Sequence, residues 1–446
     1  MGKELINIAE KAVQKAISQG VSAAEVYLAR NKDLTIEVSD QKVETMKLAD
    51  EKGLGMRLFH NGKLGFAYTS DLSETALEQV VLQAVSNSES TVADDYNILP
   101  EPSSFYPELS LYDPTINQIS LEKKIELAKE IERTAREYDP RVKITKKCAY
   151  TDSVYEVAIF NSLGIKGSYQ GAYCGAYSFL VAEENSASET GFGFQYKLRY
   201  DDIDPRLVAV ESAQKAVRML GAKSISTQEM IAVFDPYVAV GFLGLISPSL
   251  SANSVQKGKS KFSDRKGQQV SSEFLTLIDD GVMGEKIMSA PFDGEGVPCQ
   301  KTVLIHQGIL KGFLYNTYTA KKDNTESTGN GTRSYKGIPE IGTSNFYIEK
   351  GTISKDEMLK QISKGIYITE VMGMHTANHI SGDFSVGAAG LLIENGELTK
   401  PVRGIAIAGN IFDLLFSIDK VASDLTFFIG KGSPSLQVSQ MVISGD

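Results

Sequence analysis

Ser381-Gly382-Asp383-Phe384-Ser385-Val386-Gly387-Ala388-Ala389-Gly390 is followed by Ile393-Glu394-Asn395-Gly396-Glu397 and then by Ile407-Ala408-Gly409-Asn410. These are Gly-rich strand signals with almost no interruption, and the last of them opens a helix. Glycine at such density serves turns and the close approach of backbones. The flanking sequence continues the pattern. Ser354-Lys355-Asp356-Glu357 is a capping box for a short helix predicted to end at Gly365. Val303 to Ile305 and Ile309 to Phe313 flank His306-Gln307-Gly308 as a compact hairpin. Further upstream, Ile231-Ala232-Val233-Phe234 reads as a strand and Pro236 to Ile246 as a helix.

The first half alternates differently. Leu5, Ile8, Ala9, Ala12, Val13, Ala16 and Ile17 recur at helical spacing, and Gly20 stops that helix. Leu34 to Val38 alternates as a strand, and Gly55 to Phe59 connects through Asn61-Gly62 to Leu64 to Tyr68, a strong hairpin signal. A helix starts near Asp71 or Ser73, a Pro-bearing loop runs from Asp94 to Thr115, and a second amphipathic helix carries Leu121, Ile125, Ala128, Ile131 and Ala135. Strands return between Val142 and Arg199. The next helix has Asp204 as N-cap, Pro205 in its first turn and Gly221 just past its end. A boundary at Gly221 to Thr227 divides the chain into residues 1–222 and 223–446.

Composition bounds the function. At 446 residues, with 42% apolar and 23% charged residues, the chain has the make-up of a soluble protein with substantial cores. A net charge of −10, without a Lys/Arg stripe interleaved with aromatics, argues against nucleic acid and anionic membranes as partners. The first ten residues carry charges where a signal peptide needs its apolar core, and apolar runs such as Val238 to Ile246 are too short to span a bilayer. Cys148, Cys174 and Cys299 are too few for a disulfide framework. A cytoplasmic protein is expected.

The blocks quoted first, together with Phe292-Asp293-Gly294-Glu295-Gly296-Val297-Pro298, Tyr318-Thr319-Ala320, Ser327-Thr328-Gly329-Asn330-Gly331 and Lys364-Gly365-Ile366-Tyr367, occur in one order over about half of the chain. In that order they resemble the TldD/PmbA family, the modulators of DNA gyrase, which includes zinc metallopeptidases and metal-free partner subunits. The resemblance implies an α+β fold of two domains. The N-terminal α/β domain would hold an antiparallel sheet, and the C-terminal domain would be β-rich.

In the family's catalytic branch, the helix opening the C-terminal domain carries His-Glu-x-x-x-His. Its imidazoles bind zinc, its Glu activates the metal-bound water, and a Cys near the C-terminus completes the site. The matching helix here, Asp235 to Ile246, has neither His nor Glu, and Lys420 to Asp446 has no Cys. The chain therefore resembles the PmbA/TldE branch. No cofactor is expected in this chain, and zinc is expected on a TldD-like catalytic partner. His375-Thr376-Ala377-Asn378-His379 has the two-His spacing of a zinc helix, but Gly373 and Ser381-Gly382 predict a loop or strand end. His375 and His379 remain the metal candidates should that prediction fail. No catalytic residue is assigned. Asp383 is read as capping a Gly-rich turn.

Family members take unfolded peptides as an added strand inside a dimer cavity. Asn316, Tyr318, Ser327, Thr328, Gly329 and Asn330 are the candidates for lining such a groove, because turn-rich polar segments beside hairpins often do. The expected assembly is a homodimer alone and a heterodimer with the catalytic partner. Two other readings stay open: a stand-alone metallopeptidase with an unrecognised site, and a homodimeric peptide-binding or regulatory protein. A neighbouring gene for a His-Glu-x-x-x-His homologue would separate the first reading from both.

Overall fold

Asn61 and Gly62 both take positive φ, 52° and 74°, the conformation that matches a two-residue turn to the right-handed twist of its strands. This turn joins two members of a six-stranded antiparallel sheet in a computed structural model that describes residues 2–446. The elements of the first half are α1 (Gly2–Ser18), β1 (Ala23–Ser39), β2 (Lys42–His60), β3 (Lys63–Thr69), α2 (Glu74–Glu89), α3 (Leu121–Tyr138), β4 (Val142–Asn161), β5 (Lys166–Glu184), β6 (Ala187–Lys197) and α4 (Pro205–Arg218). The sheet order is β3-β2-β1-β4-β5-β6. Four of these strands exceed fifteen residues, so one sheet face has room for two helix pairs. Side chains alternate along a strand. Val26, Leu28, Leu54 and Leu58 therefore pack under α1 and α2, while Ile36, Val38, Cys148 and Tyr150 pack under α3 and α4. The odd positions Glu25 and Tyr27 face the other way, toward the second half of the chain.

Downstream run β7 (Gln228–Phe234), α5 (Pro236–Ile246), α6 (Ala252–Gln256), β8 (Leu277–Asp280), β9 (Lys301–His306), β10 (Ile309–Leu310), α7 (Thr317–Lys322), β11 (Gly331–Thr332), β12 (Glu340–Ile341), β13 (Phe346–Ile348), α8 (Lys355–Lys360), β14 (Lys364–Met372), β15 (Asp383–Glu394), β16 (Glu397–Asn410), α9 (Ile411–Phe416), β17 (Ile418–Val421), β18 (Thr426–Phe428), β19 (Lys431–Ser433) and β20 (Leu436–Ser444). They form one sheet of order β10-β9-β8-β13-β19-β18, the ribbon β11-β12, and a third sheet of order β16-β15-β14-β7-β20-β17. β16 also pairs with β20 at Ala406↔Ser444 and Ile407↔Ile443, so this sheet closes on itself. The Gly-rich stretch supplies β15 and β16 and the N-cap of α9, where the Asn410 side chain accepts from the Phe412 N–H. The molecule is thus a mixed α/β protein with an antiparallel sheet in its first half and a β-rich second half.

Two local expectations differ from the fold. The helix capped by Ser354 stops at Lys360, and Gly365 lies inside β14, where a Cβ would come 2.8 Å from the Ile231 carbonyl oxygen. β10 spans only Ile309–Leu310, and the pairing reaches no further than the next rung, where the Lys311 N–H donates to the Leu304 carbonyl. All three cysteines are free and buried, and burial pushes the Cys148 and Cys174 thiols up to about 12. Among the described residues no helix is long and apolar enough to cross a membrane.

Candidate functional site

Helix α5 begins where Asp235 caps it. One carboxylate oxygen accepts from the Tyr237 N–H at 2.9 Å and the other from the Tyr367 hydroxyl at 2.7 Å. Pro236 occupies the first turn, where a missing N–H costs nothing. Val238, Ala239, Phe242, Leu243, Leu245 and Ile246 are buried, and Phe242 stacks on Phe234 of β7 with centroids 5.1 Å apart. Half-buried Val240 still packs against this core, and the face turned away from it carries exposed Tyr237 and half-buried Gly241 and Gly244. Against it lies the β18–β19 hairpin. Phe428 packs edge-on to Tyr237 at 5.4 Å, and the Lys431 Nζ lies 3.3 Å from where a Gly244 Cβ would stand.

Beside the start of α5 a cleft of about 480 Å³ opens between the two halves of the chain. β6 contributes Phe194 to Lys197 to its wall and β18 contributes Thr426 to Phe428. Both are end strands of their sheets, so backbone donors and acceptors along one side of each are free of sheet partners. The Phe194 and Phe428 rings are 5.7 Å apart across it. Every acid at this cleft is engaged within the fold. Glu211 pairs with Lys215, Asp235 caps α5, and Asp424 accepts from the Ser435 N–H and hydroxyl at 2.8 and 2.7 Å. Of the lysines that line it, Lys215 is the partner of Glu211, while Lys197 and Lys355 have no carboxylate partner among the described residues.

A larger cleft, of about 760 Å³, lies on the other side of the junction between residues 91–98 and the segments 247–257 and 338–343. Asn316 and Tyr318 border it. Asn316 is nevertheless committed to capping α7, in a reciprocal box with Thr319, and the Tyr318 hydroxyl donates to Asp94 at 2.8 Å. Ser327, Thr328, Gly329 and Asn330 do not reach either cleft. Ser327 and Thr328 bond the Tyr315 backbone, Gly329 packs on Pro298 at a positive φ of 69°, and buried Asn330 donates to Asp279 at 2.7 Å. His375 sits in the single turn Met374–Thr376 and His379 in the turn after it; both are exposed and share no helix. Asp383 accepts from Ser381 and Asn410 across the turn, which holds its carboxyl below the usual range.

A buried charge cluster between the two halves of the chain left little trace in the sequence. The Arg57 guanidinium grips Glu25 through two bonds of 3.1 Å and Glu295 through one of 3.0 Å, and Arg333 donates to Glu25 as well. Burial opposes the charge on Arg57, but the two carboxylates outweigh it and raise its pKa. Asp293, two residues from Glu295, accepts from the N–H groups of Glu295, Val297 and Gly331 at 2.7–3.0 Å. Burial and the nearby Glu295 charge push its carboxyl up to about 8. The one sequence hint was the Asp-Gly-Glu-Gly turn, and the Glu295 partner Arg57 lies 238 positions upstream.

Three family models cover the chain: PmbA/TldA metallopeptidase domain 1 over residues 24–88, the central domain over 114–220 and the C-terminal domain over 227–445. The chain belongs to the PmbA/TldD family. Metalloprotease PmbA of Escherichia coli O157:H7 is 29% identical over 449 residues, covering 98% of this chain and 96% of that protein. A putative modulator of DNA gyrase from Thermotoga maritima superposes with a TM-score of 0.91 at 27% identity, covering 99% of this chain and 100% of that one. TldE from Thermococcus kodakarensis gives 0.91 at 25%, covering 98% and 99%.

The family association with metallopeptidases raises the question of a metal. The open face of α5 offers no imidazole, carboxylate or thiolate, and it carries an ammonium group instead. Among the described residues no three His, Cys, Asp or Glu side chains are grouped to hold an ion. These residues do not make the donor set of a zinc centre.

Proposed function

We propose that this chain is a PmbA/TldE-like subunit of a cytoplasmic TldD/TldE-type peptidase, made of units 1–222 and 223–446. It holds unfolded peptide in extended form while a TldD-like partner supplies zinc and the activated water. The observation that carries the reading is the open face of α5. Where catalytic relatives would need ligands it has Tyr237 and two glycines, with Lys431 laid along it. The cleft beside that helix supports the peptide-holding part. An extended chain bonds to unpaired strand edges through its backbone, which gives affinity with loose sequence preference. Aromatic walls at Phe194, Tyr237 and Phe428 add apolar contact.

Elemental analysis and a cleavage assay on unfolded peptide test this. The purified chain should carry far less than one zinc and should not cleave, whereas mixing it with a zinc-bearing TldD homologue should permit or raise cleavage. About one zinc per chain, lost on changing His375 and His379 to Ala, would establish a stand-alone metallopeptidase instead. Peptide binding with no effect on any partner's cleavage would favour a homodimeric binding or regulatory protein.

A further inference from the structure

Phe428 and Lys431 are paired in the β18–β19 hairpin, so Ile429 and Gly430 form a two-residue turn, and Ile429 takes a positive φ of 60°. Turns of this length put glycine, asparagine or aspartate at positive φ, because a Cβ crowds the backbone there. A β-branched side chain is strained at such a position. Core packing does not explain it, since Ile429 is 44% exposed. Ile429 instead borders the cleft beside α5, and three rings border the same cleft from three elements: Phe194 on β6, Tyr237 on α5 and Phe428 on β18. Their centroids lie 5.4–6.4 Å apart, so they make one continuous apolar surface. Yet Tyr237 is 43% exposed and both phenylalanines are only half-buried. Apolar surface left in water is unfavourable, and a contiguous patch of it marks a binding place. The charges beside it are one-sided. Glu211, Asp235 and Asp424 are all engaged within the fold, whereas Lys197 and Lys355 have no carboxylate partner among the described residues. No free acid lines the cleft to receive a basic side chain.

We propose that Phe194, Tyr237, Phe428 and Ile429 form a seat for one large apolar side chain of an extended peptide, and that the cleft discriminates against lysine and arginine at that position. This seat presupposes the peptide-holding reading above and adds to it a preference at one position. Every second side chain of an extended segment faces the same way. One residue of a peptide laid along β6 or β18 therefore enters the seat while its two neighbours turn away. Ile429 is retained at a strained turn because its side chain, unlike glycine, completes the seat.

Fluorescence anisotropy with three labelled, amidated peptides of one extended Ser/Thr sequence tests this, using the full chain alone and with a TldD homologue. The peptides differ at one central residue, which is Phe, Ser or Lys. The Phe peptide should bind about tenfold more tightly than the Ser peptide, and the Lys peptide no more tightly than the Ser peptide. The Phe advantage should persist at high salt, where charge effects are screened. It should shrink in Tyr237→Ser and in Ile429→Gly, and in the latter the thermal midpoint should not fall, because glycine relieves the positive φ. A lower midpoint in Ile429→Gly with the Phe advantage intact would assign this side chain to the hairpin alone and overturn the seat. Equal affinity for all three peptides would overturn the side-chain preference and leave the peptide-holding reading intact. Failure of every peptide to bind, with or without the partner, would overturn both.

Discussion

Arg57 on β2 and Glu295 in the second half of the chain meet at 3.0 Å, with both side chains nearly excluded from solvent. This pair, with Glu25 and Arg333, sits beneath an apolar layer of Tyr27, Ile159, Ile165, Phe292 and Tyr335 contributed by both halves. The two halves are thereby joined by buried charges that only the assembled fold can pair. Removing one member strands the others. Glu295→Ala should therefore destabilise the protein by about 3–5 kcal/mol, and it also deprives the Thr317 N–H of its acceptor. Urea denaturation checks this; a shift below about 1 kcal/mol would mean that the pair contributes little.

Asp293 makes stability depend on pH. Its carboxyl has a folded pKa of about 8, against 3.8 for the free group, so the folded state holds a proton that the unfolded state releases. The contribution is complete below about 4 and is lost as pH rises toward 8, at up to about 1.4 kcal/mol per pH unit. Urea midpoints measured from pH 5 to 8 should fall more steeply in the wild type than in Asp293→Asn. Parallel slopes would count against the assignment.

Gly191 is where β6 touches α4. A Cβ there would stand 1.9 Å from the Ser212 carbonyl oxygen and 2.8 Å from the Ala216 nitrogen, both backbone atoms that cannot rotate aside. Gly191→Ala should cost about 1–3 kcal/mol and shift β6 at the cleft wall. Gly284→Ala, whose Cβ would meet nothing within 4 Å, should change the thermal midpoint little. Equal effects of the two would show that α4 can move away.

Assembly can be read by light scattering. The free edges of β6 and β18 and the proposed chamber lead us to expect a dimer when the chain is purified alone, and a heterodimer with a TldD homologue. The interface should exceed the ~1,600 Å² typical of specific complexes. A 48.5 kDa monomer at micromolar concentration, unchanged by the partner, would remove support for a shared chamber.

Much of this protein is legible in its sequence because the deciding physics is local. The caps at Asp204, Asp235, Ser354 and Asn410, the Asn61-Gly62 turn and the periodicity of α1 and α3 each act within a few residues, and each appears in the fold. The ordered blocks likewise carried the family, and the missing His and Glu of α5 needed no coordinates. Tertiary structure decided the rest, where distance along the chain hides the partner. Ser327 to Asn330 look like a ligand loop but spend their polar groups on Tyr315, Asp279 and Gly342. Glu295 finds Arg57 and Arg333 finds Glu25 across more than two hundred residues. Lys431 reaches α5 only because the β18–β19 hairpin folds back onto it. Burial and charge pairing are properties of proximity in space, and a sequence states proximity only along the chain.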